Sequence, residues 1–279
     1  MTARPTWFIS QRTVGVCRLG RHGWHSHALW IALLFLTGFI HPLAAQADAT
    51  TVIGRVKPSI VAIGTFQSTR NPRFQFRGTG FAVGDGRLVV TNAHVLPLVL
   101  DNEQRETLVI AVPGKGTEAE VRRASVATSS REYDLAILKF DGAPLPPLRL
   151  GDASTVREGQ RFLFTGFPIG SAIGLFPATH EAMVSALAPI AIPLPDTKQM
   201  DARTLRRIKE GAFSILQLDG TAYPGNSGSP LYDPETGNVI GIINMVFVKG
   251  MKEAAISAPS GISYAIPVEP LEDLLQTVR

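Results

Sequence analysis

The sequence predicts an all-β chain folded as two small β-barrels, with a short helix at its C-terminal end. Three observations predict it. Twelve short apolar or alternating runs recur between glycine and proline punctuation, and they fall into two sets of about six. A proline-rich stretch, Gly142-Ala143-Pro144-Leu145-Pro146-Pro147, separates the sets and cannot pair as a central strand. Three chemistry-bearing residues are divided between the halves, His94 and Asp134 in the first and Ser227 in the second, so that a site would lie in the cleft between the barrels.

In chain order, residues 1–47 stand apart. They hold Arg4, Arg12, Arg18 and Arg21 with no acid, then the apolar run Ala28–Ile40 and the small-residue pattern Ala45-Gln46-Ala47. This is the layout of a secretory signal peptide, and 13 apolar residues fall short of the roughly 20 needed to span a bilayer. Retention of Ala28–Ile40 as an anchor is the weaker reading. Cleavage would leave a chain beginning at Asp48 in the periplasm or outside the cell. The four arginines are also the whole excess of the 27 basic over the 23 acidic residues, so the mature chain is formally neutral. Without a clustered positive field, no nucleic acid and no anionic membrane is expected as partner. The single cysteine, Cys17, lies in this segment, which leaves neither a disulfide nor a thiol nucleophile. His22, His25, His27 and His41 leave with it, so only His94 and His180 remain. A zinc site of several His or Cys ligands is therefore not expected, and no cofactor is called for.

The remaining stretch of about 230 residues is long enough for two small barrels. Residues 48–147 are assigned to the first, opened by a short helix at Val52–Val56. Its strands are expected at Ser59–Thr65, Gly78–Val83, Leu88–Thr91, Leu108–Val112, Ala119–Val126 and Asp134–Phe140. Residues 148–279 are assigned to the second barrel and the closing helix. The strands here are expected at Arg161–Phe167, Ala182–Leu187, Ser214–Leu218, Ser229–Tyr232, Val239–Val248 and Gly261–Ile266. His180 lies in the alternating stretch Thr179–Val184 and reads as structural or surface. Ala188–Gly211 interrupts the β pattern with three prolines and the basic run Arg203–Lys209. It reads as a solvated excursion, with a helix at Ala202–Glu210 capped by Asp201 and stopped by Gly211. Leu271–Val278 reads as an amphipathic helix following Pro270.

The residue types at the three divided positions point to acyl transfer. A serine hydroxyl is a weak nucleophile at neutral pH and needs an imidazole to take its proton, and the imidazole needs a carboxylate to hold its tautomer. Taken alone, each piece has an ordinary reading: Gly225-Asn226-Ser227-Gly228 as turn chemistry, Asp134 as the acid that begins an apolar strand, and His94 as a buried histidine. Their coincidence in the order His94, Asp134, Ser227 points to a serine protease built like chymotrypsin. The glycines around Ser227 would let backbone N–H groups aim at the oxyanion, with Gly225 and Ser227 as the donors.

Further motifs carry a resemblance. Gly78-Thr79-Gly80-Phe81, Val90–Val95, Asp134–Leu138, Gly166-Phe167-Pro168, Val184–Leu187, Gly225–Pro230, Val239–Ile242 and Tyr264–Pro267 resemble the trypsin-like protease domain of the HtrA/Deg family over essentially all of the mature chain. The resemblance implies a chymotrypsin-like double β-barrel endopeptidase of the bacterial cell envelope, acting on polypeptide substrates with His94, Asp134 and Ser227 as triad. A homo-oligomer is compatible with it. Family members usually continue into PDZ domains, whereas this sequence stops at Arg279, so no PDZ domain is expected in the same chain. The Ser229-Pro230 pair is closer to secreted glutamyl endopeptidases, which read the substrate carboxylate with a histidine beyond the serine. No histidine follows His180, so a glutamate preference lacks its reader.

In this fold the primary pocket is lined just before the nucleophile and by the strand after it, which gives Thr221, Ala222, Asn244, Met245 and Val246. None is acidic, and burying an unpaired cation is costly. The expected preference is for uncharged residues of small to medium size. The competing reading, from a different class, is a non-catalytic binding or scaffold protein that keeps the double-barrel fold.

Overall fold

The computed structural model describes residues 48–114, 116, 118–170, 174–189, 214–244 and 261–278. Six antiparallel strands close the first barrel: β1 (Ile60–Phe66), β2 (Phe74–Val83), β3 (Leu88–Asn92), β4 (Thr107–Pro113), β5 (Ala119–Ser130) and β6 (Leu135–Phe140). They run in the order β1-β2-β3-β6-β5-β4, and the β1–β4 pairing completes the circle. The second barrel holds β7 (Arg161–Gly166), β8 (Ala178–Pro189), β9 (Ser214–Asp219), β10 (Pro230–Tyr232), β11 (Val239–Asn244) and β12 (Ile262–Pro267). Its order is β10-β11-β12-β9-β8-β7, closed by β10 on β7. Closure leaves neither sheet an open edge. This is the double barrel of chymotrypsin.

Three strands outrun the sequence expectation. β2 starts at Phe74 because Phe74 and Phe76 are half-buried while Gln75 and Arg77 face water. β5 runs on to Ser130 although only Ala124 within it is buried. β8 begins at Ala178, so His180 pairs with Phe164 inside the sheet. The expected helix at Ala202–Glu210 and the end of the expected strand Val239–Val248 lie outside the described residues.

Among the described residues, two α-helices flank the barrels. α1 (Ala49–Val56) is longer than expected because Asp48 caps it, its carboxylate accepting from the Thr50 N–H at 3.3 Å. α2 (Glu269–Gln276) begins before Pro270, not after it. Proline is accommodated there because a first-turn N–H has no helical acceptor to lose.

The proline-rich connector is stitched to both sides. Leu145 and Leu148 donate from their N–H groups to Gly86 and Ala82 of the first barrel at 2.9 Å each. Val239 of the second barrel donates to Arg149 at 2.8 Å, and Gly151 to Val239 at 2.7 Å. One continuous apolar core joins Ile60, Phe81 and Ile137 to Phe164, Leu231 and Ile266, and it includes Val52 and Val56 of α1 and Leu271 and Leu275 of α2.

Candidate active site

The end of β3 leads into a 3-10 turn, Ala93–Val95, which carries His94. Arg77 of β2 pins the exit of that turn, its guanidinium donating to the carbonyls of Val95 at 2.6 Å and Leu96 at 3.2 Å. Asp134 precedes β6 with a left-handed φ of 51°, a conformation uncommon for a residue with a side chain. Its partners hold it there. The Asp134 carbonyl accepts from the Ala93 N–H at 3.0 Å and the Asn92 amide at 3.1 Å.

The Asp134 carboxylate grips the histidine twice. Oδ1 accepts from the His94 backbone N–H at 2.8 Å, and Oδ2 lies 2.5 Å from Nδ1 of the ring. An ionised carboxylate only accepts, so the neutral imidazole carries its hydrogen on Nδ1, which leaves Nε2 as a base. A third hydrogen bond comes from the other barrel: the Asn244 amide at the end of β11 donates to Oδ2 at 2.8 Å. Sequence reasoning assigned Asn244 to the substrate pocket. The structure shows it buried and bonded to the acid that orients the histidine.

Ser227 follows a turn of the second barrel and is 5% exposed. Gly78 of β2 lies between the two halves of the site: a side chain there would meet Val95, next to His94, at 2.7 Å and the Ser227 carbonyl at 3.1 Å. The strand therefore approaches both only as glycine. Gly225 has φ 103°, and a Cβ would lie 2.2 Å from the Phe167 carbonyl, so a side chain is excluded there too. The N–H groups of Gly225 and Ser227 donate to no described acceptor.

Ahead of Ser227, the chain is zipped to β12. The Ala222 N–H donates to Ser263 Oγ at 2.7 Å, and that hydroxyl donates to the Gly220 carbonyl at 2.6 Å. Thr221 is half-buried and Ala222 buried; Met245 and Val246 lie outside the described residues. His180 is half-buried, stacked on Phe164 with ring centroids 5.0 Å apart, and 6.2 Å from the ring of Tyr223. Burial holds its pKa below the ordinary histidine range. It contributes packing in β8, the structural one of the two roles, structural or surface, expected of it. Among the described residues, no cluster of three or more His, Cys, Asp or Glu could hold a metal.

Sequence reasoning missed Arg77, Ser263 and Thr79; only Thr79 carried a signal, since it stands in Gly78-Thr79-Gly80-Phe81.

Residues 78–242 match the model of the trypsin-like peptidase domain. A probable periplasmic serine endoprotease, DegP-like, from Halomonas elongata is 31% identical over 202 residues, covering 72% of this chain and 35% of that protein. The human serine protease HTRA4 is 28% identical over 228 residues, covering 80% of this chain and 40% of its own length. The chain thus spans between 35% and 40% of these two curated relatives. Among solved structures, the HtrA-type protease AlgW with decapeptide superposes with a TM-score of 0.60 at 22% identity, covering 83% of this chain and 67% of that one. That likeness concerns the fold.

Proposed function

The chain belongs to the trypsin-like peptidase domain family, and from that premise we propose that it is a serine endopeptidase whose triad is His94, Asp134 and Ser227. One observation carries the reading: Asp134 holds His94 through both its ring Nδ1 and its backbone N–H, which presents Nε2 as the base. In the reaction, the Ser227 oxygen attacks the scissile carbonyl carbon while His94 Nε2 takes the hydroxyl proton. The negative charge that forms on the carbonyl oxygen is met by the N–H groups of Gly225 and Ser227. Collapse breaks the C–N bond, His94 returns its proton to the leaving amine, and an acyl-enzyme remains. Water then attacks the ester with His94 again as base, which releases the acid and restores Ser227.

The substrates in this reading are unfolded or exposed polypeptide segments with an uncharged small to medium residue before the scissile bond. Two features support it. Thr221 and Ala222 offer methyl surface without charge, and just after His94 the side chains of Leu98 and Val99 stand 97% and 83% exposed, ready for apolar contact. Cleavage-site profiling on a denatured protein mixture should return valine, alanine or leucine at that position. A dominant lysine, arginine or glutamate would overturn the pocket assignment. Export to the periplasm or beyond, with cleavage before Asp48, fits the leader pattern of residues 1–47 and the word periplasmic in the names of the DegP-like relatives.

A serine-directed phosphonyl probe tests the reading. Wild type should be labelled and Ser227→Ala should not, with turnover reduced on the order of a million-fold, as when a triad member is removed from subtilisin. The intact mass of the labelled protein also reads its first residue, expected to be Asp48. Absence of labelling under every condition would point instead to a non-catalytic binding protein on the same fold.

A further inference from the structure

Thr79 lies in β2 of the first barrel, fully buried, and its polar groups all serve its surroundings. The hydroxyl donates to the Gly225 carbonyl at 2.7 Å and accepts from the Phe167 N–H at 3.1 Å. The backbone N–H donates to the Ser227 carbonyl at 2.9 Å. The Thr79 carbonyl accepts from the buried Thr91 hydroxyl at 2.7 Å, which steadies the residue from β3.

These contacts fall on the turn that carries the oxyanion donors. Gly225 C=O belongs to the peptide plane between Gly225 and Asn226, and Ser227 C=O to the plane between Ser227 and Gly228. The neighbouring planes carry the N–H groups of Gly225 and Ser227. Two of them are held from within the second barrel, Pro224 C=O by the Ile169 N–H at 2.7 Å and Asn226 C=O by the Ser229 N–H at 3.0 Å. The Gly225–Asn226 plane is held within the turn through its N–H, Asn226 donating to the Tyr223 carbonyl at 2.9 Å; its carbonyl side, attached to a glycine that turns with little steric resistance, still needs a partner. The Thr79 hydroxyl is that partner.

We propose that Thr79 is a positioning residue for the oxyanion hole, its hydroxyl fixing the Gly225–Asn226 plane from the opposite barrel and so the aim of the two N–H donors. The inference rests on the serine endopeptidase reading above. Its side-chain chemistry is specific: one oxygen must accept from Phe167 and donate to Gly225 together, which serine can do and valine or alanine cannot.

The test compares Thr79→Ser, Thr79→Ala and Thr79→Val in the full chain. It reads kcat and KM on a peptide, the affinity of a peptide aldehyde whose adduct places an oxyanion in the hole, and the thermal midpoint. Full removal of an oxyanion donor costs about 100- to 1,000-fold in kcat, so misaiming the donors should cost about 10- to 100-fold. Alanine and valine should lose that much kcat, with KM within about threefold, and should weaken the aldehyde by the same factor. Serine should stay within about threefold of wild type. Serine and alanine lack the same methyl group, so their difference isolates the hydroxyl even where valine fails to fold. Equal kcat for serine and alanine overturns the inference, as does a midpoint loss with unchanged aldehyde affinity. A wild type that a phosphonyl probe never labels overturns the enzyme reading and the inference with it; a labelled wild type with an equally fast Thr79→Ala overturns the inference alone.

Discussion

Asn244 places a neutral donor against a carboxylate that already serves a histidine. The Asp134 Oδ2 is shared between the His94 ring and the Asn244 amide, and a hydrogen bond to a charged group is worth about 1.5–3 kcal/mol. Removing the amide frees Asp134 to rotate toward other partners and loosens the imidazole it orients. Asn244→Ala should therefore lower kcat about 10- to 100-fold with KM little changed, a split that steady-state kinetics reads directly. A variant within about twofold of wild type would show that the two contacts from His94 alone set the carboxylate. At this scale the sequence exposes residue types and their order, which is why His94 and Asp134, which the structure brings into contact, and Ser227 stand out as candidates. It does not expose Asn244 on Asp134 or Thr79 on Gly225. Those partners lie 110 and 146 positions apart, and neither residue type announces such a contact.

Strands and their grouping into two sets were legible because a half-buried or fully buried strand writes its period into the chain. Boundaries were less so: half of β5 is exposed and only Ala124 in it is buried, and the start of β2 carries its period on only four residues, Phe74 to Arg77. Loop anchoring left no period at all. Glu106, just ahead of β4, shows what the loops depend on. Its carboxylate accepts from the Thr65 hydroxyl of β1 at 2.6 Å, from the Asp101 N–H at 3.1 Å and from Arg70 at 2.8 Å. These bonds, the Thr65 hydroxyl first, lower its pKa from 4.5 to about 2. A depressed carboxylate stabilises the fold above its unfolded pKa and loses that contribution as pH falls through the folded one. The pH window runs from about 4.5 down to about 2, and solvent screening limits the contribution to about 1–2 kcal/mol. Urea unfolding of wild type should show stability falling through that window. Glu106→Gln, lacking the charge, should be less stable at pH 6 and flatter below 4.5. Parallel curves for the two proteins would assign the acid response to other groups.

Across the whole molecule, each terminal helix crosses to the barrel it does not adjoin in sequence. α1 precedes β1, yet Val52 and Val56 face Gly237 in the turn between β10 and β11. α2 follows β12, yet it lies against β5 and β6, with the Thr277 hydroxyl 3.4 Å from that of Thr128. The connector adds hydrogen bonds to both sides, and one apolar cluster runs through both barrels, beside a second cluster confined to the first barrel around Ile63, Ile110 and Leu138. The proposed site needs this, because His94 and Asp134 sit on one barrel and Ser227, Asn244 and Gly225 on the other. A small relative rotation would separate them. Units that share one core unfold together, so heating should give a single transition reporting on both barrels. Leu271, fully buried in α2, tests this. Leu271→Ala deletes buried methyl and methylene groups and should cost about 2–5 kcal/mol. Since the side chain belongs to the shared core, the variant should shift the whole transition to lower temperature and keep it single. If calorimetry instead resolves two transitions, with one at the wild-type temperature, the barrels are energetically separate. The alignment of the site would then rest on the connector and on contacts such as Asn244 to Asp134, not on the helices.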